Sequence, residues 1–249
     1  MTDWPQLSHA YGSAEDIPTL LARIASEPTA KLWNDLWSAL CHQGSVHPAS
    51  FAALPWLAKM AANDNRGQAL NALVLAGAIL AGDGQPHGAG DVRTEHSTDI
   101  TALLAWVNRR LRTATDRAEY LHLLEAMLGL EGATGWNEDL AWGLANEEYE
   151  VPCPECETSL FIVLGERGFF STSDDYALSD DTIETLPLRP ANPAGLEGIG
   201  RRLHDTASTD GQLEIAHLLT YVYGNATCPD CKTDFSITDQ ISPDQTNTR

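Results

Sequence analysis

The chain has 249 residues, 43% of them hydrophobic, and its 35 Asp and Glu against 15 Lys and Arg give a formal net charge of −20. The hydrophobic fraction supports a folded core and excludes a disordered chain. The acidity argues against nucleic acid and anionic membranes as partners, because both attract Lys and Arg. The longest apolar stretch, residues 69–82, is too short to cross a bilayer, and no secretory signal is seen, so we expect a soluble, cytoplasmic protein.

Helical periodicity dominates residues 13–147. The spacing of Ser13 and Asp16 predicts a capping box before the first helix. A second helix is predicted over residues 29–43, with Gly44 as its C-terminal stop.

The next predicted helix begins near Pro48 and contains Pro55, which should kink it because proline removes a backbone hydrogen bond. Residues 66–82 are apolar nearly all round, which predicts a central helix. A glycine-rich loop is expected over residues 83–94. Further helices are predicted over residues 96–113, 116–130 and 137–147. Short loops between such helices favour antiparallel pairs stacked side by side.

Two segments, LWSALCHQG at residues 36–44 and PASFAALPWLAKMA at residues 48–61, resemble a family of bacterial HEAT-like helical-repeat proteins. The resemblance is close over residues 30–62 and holds only in pattern over the rest of the helical half. It implies an α-solenoid with an adaptor or interaction role, and it carries over no catalytic residue. Some members of that family lie near toxin genes, so by analogy the resemblance also implies an immunity role.

The turn after the second predicted helix contains a cysteine, a glutamine and two histidines. We interpret Cys41 as a small buried residue at the end of an apolar stripe. We expect His42, Gln43 and His47 to hydrogen-bond helix ends, with partner binding as the alternative, because the loop face of a solenoid often carries ligands. An enzyme site using Cys41, His42 or His47 is a second hypothesis, although no complete catalytic constellation supports it.

The second half of the chain contains two matching cysteine motifs, CPEC at residues 153–156 and CPDC at residues 228–231. Two residues between cysteines let one tight turn direct two sulfur atoms at one ion, and two such turns supply four thiolates, which suit tetrahedral Zn²⁺. Four thiolates leave no open position for water, so the predicted zinc is structural. The predicted ligands are Cys153, Cys156, Cys228 and Cys231.

Other uses of four cysteines stay open. Two disulfides are disfavoured in a cytosolic chain, and a redox pair lacks the surrounding βαβ pattern. An iron–sulfur cluster also takes four cysteines, so the sequence does not separate zinc from iron. Each motif resembles half of a zinc ribbon, and residues 160–170 predict a β-hairpin after the first motif. The long separation of the motifs requires inserted helices over about residues 193–224.

Negative charge is concentrated in the second half, where residues 137–249 hold 21 acidic and 6 basic side chains. A surface of this kind steers a basic partner protein towards it. The acidic candidates for partner binding are Glu147, Glu148, Asp174, Asp175, Asp180 and Asp181.

Together these patterns predict a mainly α protein. A HEAT-like α-solenoid of antiparallel helix pairs covers residues 13–147, a β-hairpin and zinc-knuckle unit with inserted helices covers residues 148–241, and a disordered tail covers residues 242–249. We expect a non-enzymatic interaction module that binds a basic partner protein, in the manner of an immunity or adaptor protein, with the zinc unit capping the stack.

Overall fold

A computed structural model describes residues 2–82, 92–133, 138–176 and 183–241. The chain divides into two compact units, Met1–Thr134 and Gly135–Arg249, which we call unit 1 and unit 2. Asp180, Asp181, the predicted tail at 242–249 and most of the predicted glycine-rich loop lie outside the described residues. Among the helices that are described, none has both the length and the hydrophobicity that a bilayer crossing requires.

Unit 1 is mainly helical. A short 3-10 helix (Trp4–Gln6) precedes two small hairpins, in which β1 (Ser8–His9) pairs with β2 (Gly12–Ser13) and β3 (Cys41–His42) pairs with β4 (Ser45–Val46). Its described helices are α1 (Ile17–Ser26), α2 (Ala30–Leu40), α3 (Pro48–Ala52), α4 (Leu54–Ala61), α5 (Arg66–Ala81), α6 (Val92–Glu95), α7 (Ser97–Leu111) and α8 (Arg117–Glu131).

The core of unit 1 is built around α5, which packs against α2, α4, α7 and α8. Its closest approach is to α8, where a Cβ atom at Gly77 would lie 2.5 Å from Ala126 Cα and one at Gly129 would lie 2.3 Å from the Gly77 carbonyl oxygen. Only glycine allows the two backbones to pack this tightly. The prediction of a central helix over residues 66–82 is therefore confirmed.

Three features predicted for unit 1 differ from the structure. Ser13 forms no capping box, because it lies in β2, and α1 begins after Asp16 without a side-chain cap. The end of the predicted glycine-rich loop is helical, since α6 starts at Val92. The kink expected at Pro55 is instead a break between α3 and α4, which places this proline in the first turn of α4, where its missing N–H costs little.

The second helix is also shorter than predicted, because it ends at Leu40 rather than near residue 43. Gln43 and Gly44 have φ angles of 50° and 78°. Two consecutive residues with positive φ form the tight turn that matches the twist of a two-residue β-hairpin. The chain therefore reverses at this point, and the residues expected to extend the helix form β3 and β4.

Unit 2 combines a four-stranded antiparallel sheet, in the order β5-β6-β7-β8, with a separate two-stranded hairpin of β9 and β10. The sheet strands are β5 (Glu148–Pro152), β6 (Ser159–Gly165), β7 (Gly168–Thr172) and β8 (Leu186–Pro187), and the hairpin strands are β9 (Asn225–Thr227) and β10 (Asp234–Ser236). Its helices are α9 (Glu138–Asn146), a 3-10 turn (Pro193–Gly195), α10 (Gly198–Thr209), α11 (Leu213–Val222) and α12 (Ile237–Ile241).

Several predictions for this half are confirmed by the strand and helix bounds. The hairpin expected over residues 160–170 is formed by β6 and β7, which pair from Phe161↔Thr172 to Gly165↔Gly168. The inserted helices are α10 and α11. Helix α9, which the sequence assigned to the helical body, lies in unit 2. Each cysteine motif is itself the connection of a hairpin, the first between β5 and β6 and the second between β9 and β10.

Candidate metal centre

The four cysteines of the two motifs lie together. Cys153 Sγ is 3.6 Å from Cys231 Sγ, and Cys156 Sγ is 3.8 Å from Cys228 Sγ. The four sulfur atoms all lie within 4.8 Å of one another. Cys153 and Cys228 are buried, whereas Cys156 and Cys231 are exposed. This arrangement could hold a metal ion.

The first motif forms a tight turn, residues 153–158, which we call the first knuckle. The Cys153 N–H donates to the Thr158 carbonyl at 2.9 Å, and the Glu157 N–H donates to the Cys153 carbonyl at 3.0 Å. Glu157 has a φ of 60°, a left-handed conformation that costs a residue with a Cβ roughly 1–2 kcal/mol. The backbone of this turn is therefore strained at Glu157.

The second knuckle, residues 228–233, repeats the first bond for bond. The Cys228 N–H donates to the Thr233 carbonyl at 2.9 Å, and the Lys232 N–H donates to the Cys228 carbonyl at 3.0 Å. Lys232 has a φ of 62°. The same Cys-Pro-acid-Cys-x-Thr sequence therefore gives the same backbone turn at both positions.

The exposed thiols are stabilised as thiolates by the threonine that follows each motif. Hydrogen bonds from the Thr158 side chain and backbone N–H lower the pKa of Cys156, whose Sγ lies 3.4 Å from Thr158 Oγ1. The corresponding bonds from Thr233 lower the pKa of Cys231 to about 6. These threonines were not singled out as site residues from the sequence, although their position in both motifs is the signal for them.

The buried thiols behave in the opposite way. Burial raises the pKa of Cys153, and it raises the pKa of Cys228 to about 12. Backbone N–H groups of each knuckle partly oppose this effect, because they donate to the sulfur of the first cysteine. A cation beside these sulfurs would favour their deprotonated form, since metal ligands bind as thiolates.

Two serine side chains, in β7 and directly after it, bind the second hairpin and its knuckle. Ser171 Oγ donates to the Thr227 carbonyl at 2.7 Å, and Ser173 Oγ donates to Asp230 Oδ1 at 2.9 Å. The backbones of Arg189 and Asn225 exchange two hydrogen bonds of 2.9 Å. These contacts come from strands far apart in sequence, and no local pattern predicted them.

The residues singled out at the turn near Cys41 each have a different environment. Cys41 is only 4% exposed, as predicted. His42 Nδ1 lies 3.2 Å from the Tyr11 hydroxyl, and Gln43 occupies the hairpin turn. His47 is the N-cap residue of α3, and its backbone N–H donates to Ser50 Oγ at 2.9 Å.

The described acidic candidates make their contacts with different groups of unit 2. Glu147 Oε2 accepts the Glu166 N–H at 2.8 Å, and Glu148 accepts the Tyr176 hydroxyl. Asp174 Oδ2 accepts the Glu184 N–H at 3.2 Å. Asp175 directly follows Asp174 in the sequence and also has an interaction of its own. These acids therefore serve turns and strand ends of unit 2.

Fold and site define the class of this chain: a mainly helical protein of two units, with four clustered cysteines that could hold a metal ion. No family model, no curated protein and no solved structure matches it. Its function must therefore be inferred from its own residues.

Proposed function

We propose that the four-cysteine cluster binds one structural Zn²⁺ ion. The observation that carries the proposal is the spacing of the sulfur atoms. Tetrahedral coordination with Zn–S bonds of about 2.3 Å separates the ligand sulfurs by about 3.8 Å. Two of the four cross-knuckle distances are 3.6 Å and 3.8 Å, and all four sulfur atoms lie within 4.8 Å of one another.

The same spacing argues against the other uses of four cysteines. Disulfide-bonded sulfurs lie about 2.05 Å apart, whereas none of the five cysteines of this chain takes part in a disulfide. Four sulfurs within 4.8 Å of one another surround a space for one ion, and a cluster of several iron and sulfide atoms is larger than that space. A single iron ion fits the same tetrahedron, so metal analysis is the test that separates it from zinc.

A structural role follows from the closed ligand set. Four thiolates fill the tetrahedron, so no position is left for a water molecule or a substrate. The ion would fasten two hairpins that are joined by little regular pairing, and its binding energy would contribute to the folding of unit 2.

Metal analysis of the purified full chain tests this proposal. We expect one zinc per chain in the wild type and its loss in Cys153→Ser and in Cys228→Ser. The matched control is Cys41→Ser, which removes the one cysteine outside the cluster and should leave the zinc content unchanged. A wild-type protein that takes up no zinc after purification and zinc addition would contradict the proposal, as would one that holds iron instead.

We further propose that the protein is a non-enzymatic, cytoplasmic interaction module that binds a basic protein. Its net charge of −20 supports this, because such a charge accelerates encounter with a cationic partner. The HEAT-like segments at residues 36–61 support an adaptor or immunity role, with α1 to α8 arranged as a solenoid. The burial of Cys41 argues against the enzyme alternative, because a substrate cannot reach its sulfur.

Affinity capture from native lysate tests the interaction. The immobilised full chain should retain a protein of high isoelectric point at low salt and release it as salt is raised, because surface charge attraction is screened. Retention of no basic protein, or retention that does not change with salt, would overturn this function. Neither result bears on the zinc proposal, which rests on metal content.

A further inference from the structure

A groove in unit 1 is lined entirely by residues of the first hairpin, α1 and α2. Its volume is about 700 Å³, within the roughly 300–1,000 Å³ typical of small-ligand sites. The lining mixes two carboxylates, one guanidinium, hydroxyl groups and a tyrosine ring with an apolar floor of Leu20 and Ala39. Neither the cysteine cluster nor the acidic candidates of unit 2 contribute to it.

The Asp16 carboxylate in the groove is oriented by a contact with the buried His9. His9 is 9% exposed, and its Nδ1 accepts the Tyr11 N–H at 3.1 Å. Its proton is therefore on Nε2, which lies 3.2 Å from Asp16 Oδ1. A neutral imidazole fixes the orientation of Asp16 without cancelling its charge, and the other oxygen of Asp16 has no partner among the described residues.

Helix α2 supplies a second carboxylate and a hydroxyl group to the groove, and Arg23 of α1 adds a guanidinium. Asp35 Oδ2 pairs with Lys31 Nζ at 2.6 Å, and its other oxygen is not engaged by a described residue. The Arg23 guanidinium and the Ser38 hydroxyl line the groove, and neither bonds to any side chain or carbonyl that the structure describes. These groups would donate to oxygen atoms of a ligand.

An exposed aromatic ring stands at one end of the groove. Tyr11 is 65% exposed, which is unusual for a large aromatic residue. Its hydroxyl lies 3.2 Å from His42 Nδ1, and the two rings meet edge to face with centroids 5.6 Å apart. Tyr11 and Asp16 both line the groove, and His9 lies near each of them: its ring centroid is 6.1 Å from that of Tyr11, and its Nε2 is 3.2 Å from Asp16 Oδ1. A tyrosine face in a groove that also holds a carboxylate is a favourable site for a cation.

We propose that this groove binds an extended peptide segment through one lysine or arginine side chain. The basic group contacts Asp16 and the Tyr11 ring, while Arg23 and Ser38 donate to backbone carbonyls of the segment. Asp16 and Arg23 are seven residues apart on one helix, which is about 10 Å along its axis. An extended chain covers that length with about three residues. The proposal rests on the proposed interaction function and states where the basic partner is recognised.

A blocked tripeptide with central arginine, acetyl-Ala-Arg-Ala-amide, is the probe, and its citrulline counterpart is the neutral control. In NMR titrations of the full chain, we expect the arginine peptide to shift the backbone amides of Tyr11, Asp16 and Arg23 in a saturable way. Asp16→Asn should weaken binding by about tenfold. The matched control is Asp64→Asn, which removes an exposed carboxylate of unit 1 outside the groove and should bind as the wild type does. Asp16 is exposed, so its replacement should leave the remaining spectrum unchanged.

Equal shifts with the citrulline peptide, equal affinities for Asp16→Asn and Asp64→Asn, or the absence of saturation would each overturn the groove proposal. If Tyr11→Leu binds the arginine peptide as tightly as the wild type, the role of the ring is wrong as well. Affinity capture separates this failure from failure of the proposed function. If the wild type and Asp16→Asn capture the same basic protein equally well, the groove proposal is wrong and the proposed function stands. If the wild type binds the arginine peptide but captures no basic protein, only the proposed function is wrong.

Discussion

Glu157 and Lys232 occupy the same place in two copies of one turn. Their φ angles are 60° and 62°, and each N–H donates at 3.0 Å to the carbonyl of the first cysteine in its knuckle. They are 75 residues apart in the sequence. Both turns hold a non-glycine residue in the left-handed region, which indicates that the surrounding contacts of each knuckle maintain the strain.

Because Glu157 has a left-handed conformation, we expect glycine to be tolerated better than alanine at this position. Glu157→Gly should be more stable than Glu157→Ala by about 0.5–1 kcal/mol, because glycine adopts the left-handed conformation without the Cβ penalty. Chemical denaturation of both variants, each loaded with metal, measures the difference. The alanine variant controls for loss of the glutamate side chain. Equal stabilities would show that the turn is not strained at this residue.

Removal of the proposed zinc ion should destabilise unit 2 selectively. With a chelator present, we expect faster hydrogen exchange at the amides of Arg189 and Asn225, which join the β9–β10 hairpin to the rest of the unit. Amides of α5 and α8 in unit 1 serve as the internal control and should keep their protection. Zinc addition should restore slow exchange. Uniform loss of protection in both units, or no loss at all, would contradict a structural ion in unit 2.

The contact between α5 and α8 predicts a large cost for one added methyl group. Gly77→Ala or Gly129→Ala should lower the free energy of unfolding by about 1–3 kcal/mol, because the new Cβ meets backbone atoms that cannot rotate away. Gly67→Ala is the matched control on α5, where the nearest atom to the new Cβ is Asn65 Oδ1 at 3.7 Å. That change should raise the stability by about 0.5 kcal/mol, because alanine is the better helix former. Denaturant unfolding measures the stability change of each variant. Similar changes at all three positions would refute the close packing of α5 and α8.

The contacts of Asp234 with Thr227 and Arg189 predict that the stability of the folded state depends on pH. Hydrogen bonds from Thr227 and Arg189 hold the pKa of Asp234 below its ordinary value. Arg189 Nη2 lies 2.8 Å from Asp234 Oδ1. A lowered carboxyl pKa stabilises the folded state above the ordinary value of about 3.9, and this contribution is lost as pH falls through the lowered pKa.

Arg189→Met should therefore raise the pKa of Asp234 towards its ordinary value, as measured by NMR titration of the carboxyl carbon. The variant should lose stability at neutral pH, and its difference from the wild type should shrink in acid. Arg201→Met is the control, because the Arg201 guanidinium bonds to the Ala194 carbonyl and not to Asp234. An Asp234 pKa that is the same in the Arg189 variant and the wild type would show that the ion pair does not form in solution.

The cysteine motifs and the long apolar helix were predictable because their signals are local. A turn with two cysteines needs only six consecutive residues, and both copies carry the cysteines, the proline, an acidic residue and the threonine at the same positions. Residues 66–82 are apolar on every side, which has few explanations other than a buried helix. The hairpin at residues 160–170 was predictable for the same reason, since a short polar turn separates two apolar strands.

Other features could not be predicted from the sequence because a distant contact or a backbone preference outweighed the local pattern. The helical periodicity of residues 29–43 continues past Leu40, but the positive φ angles of Gln43 and Gly44 favour a hairpin. Glu147 and Glu148 look like a solvated acidic run in sequence, whereas partners at Glu166 and Tyr176 engage them. No spacing rule connects such pairs.

The sequence by itself indicated which four cysteines could hold a metal ion, the turns that carry them and most of the helices, because each depends on neighbours within a few residues. The tertiary structure placed the four sulfur atoms within 4.8 Å of one another, as the paired motifs predicted, and only the tertiary structure decided that His9, Tyr11 and Asp16 meet α2 in a groove. These arrangements depend on how strands and helices pack after the chain has folded, and packing joins residues whose separation in sequence carries no signal.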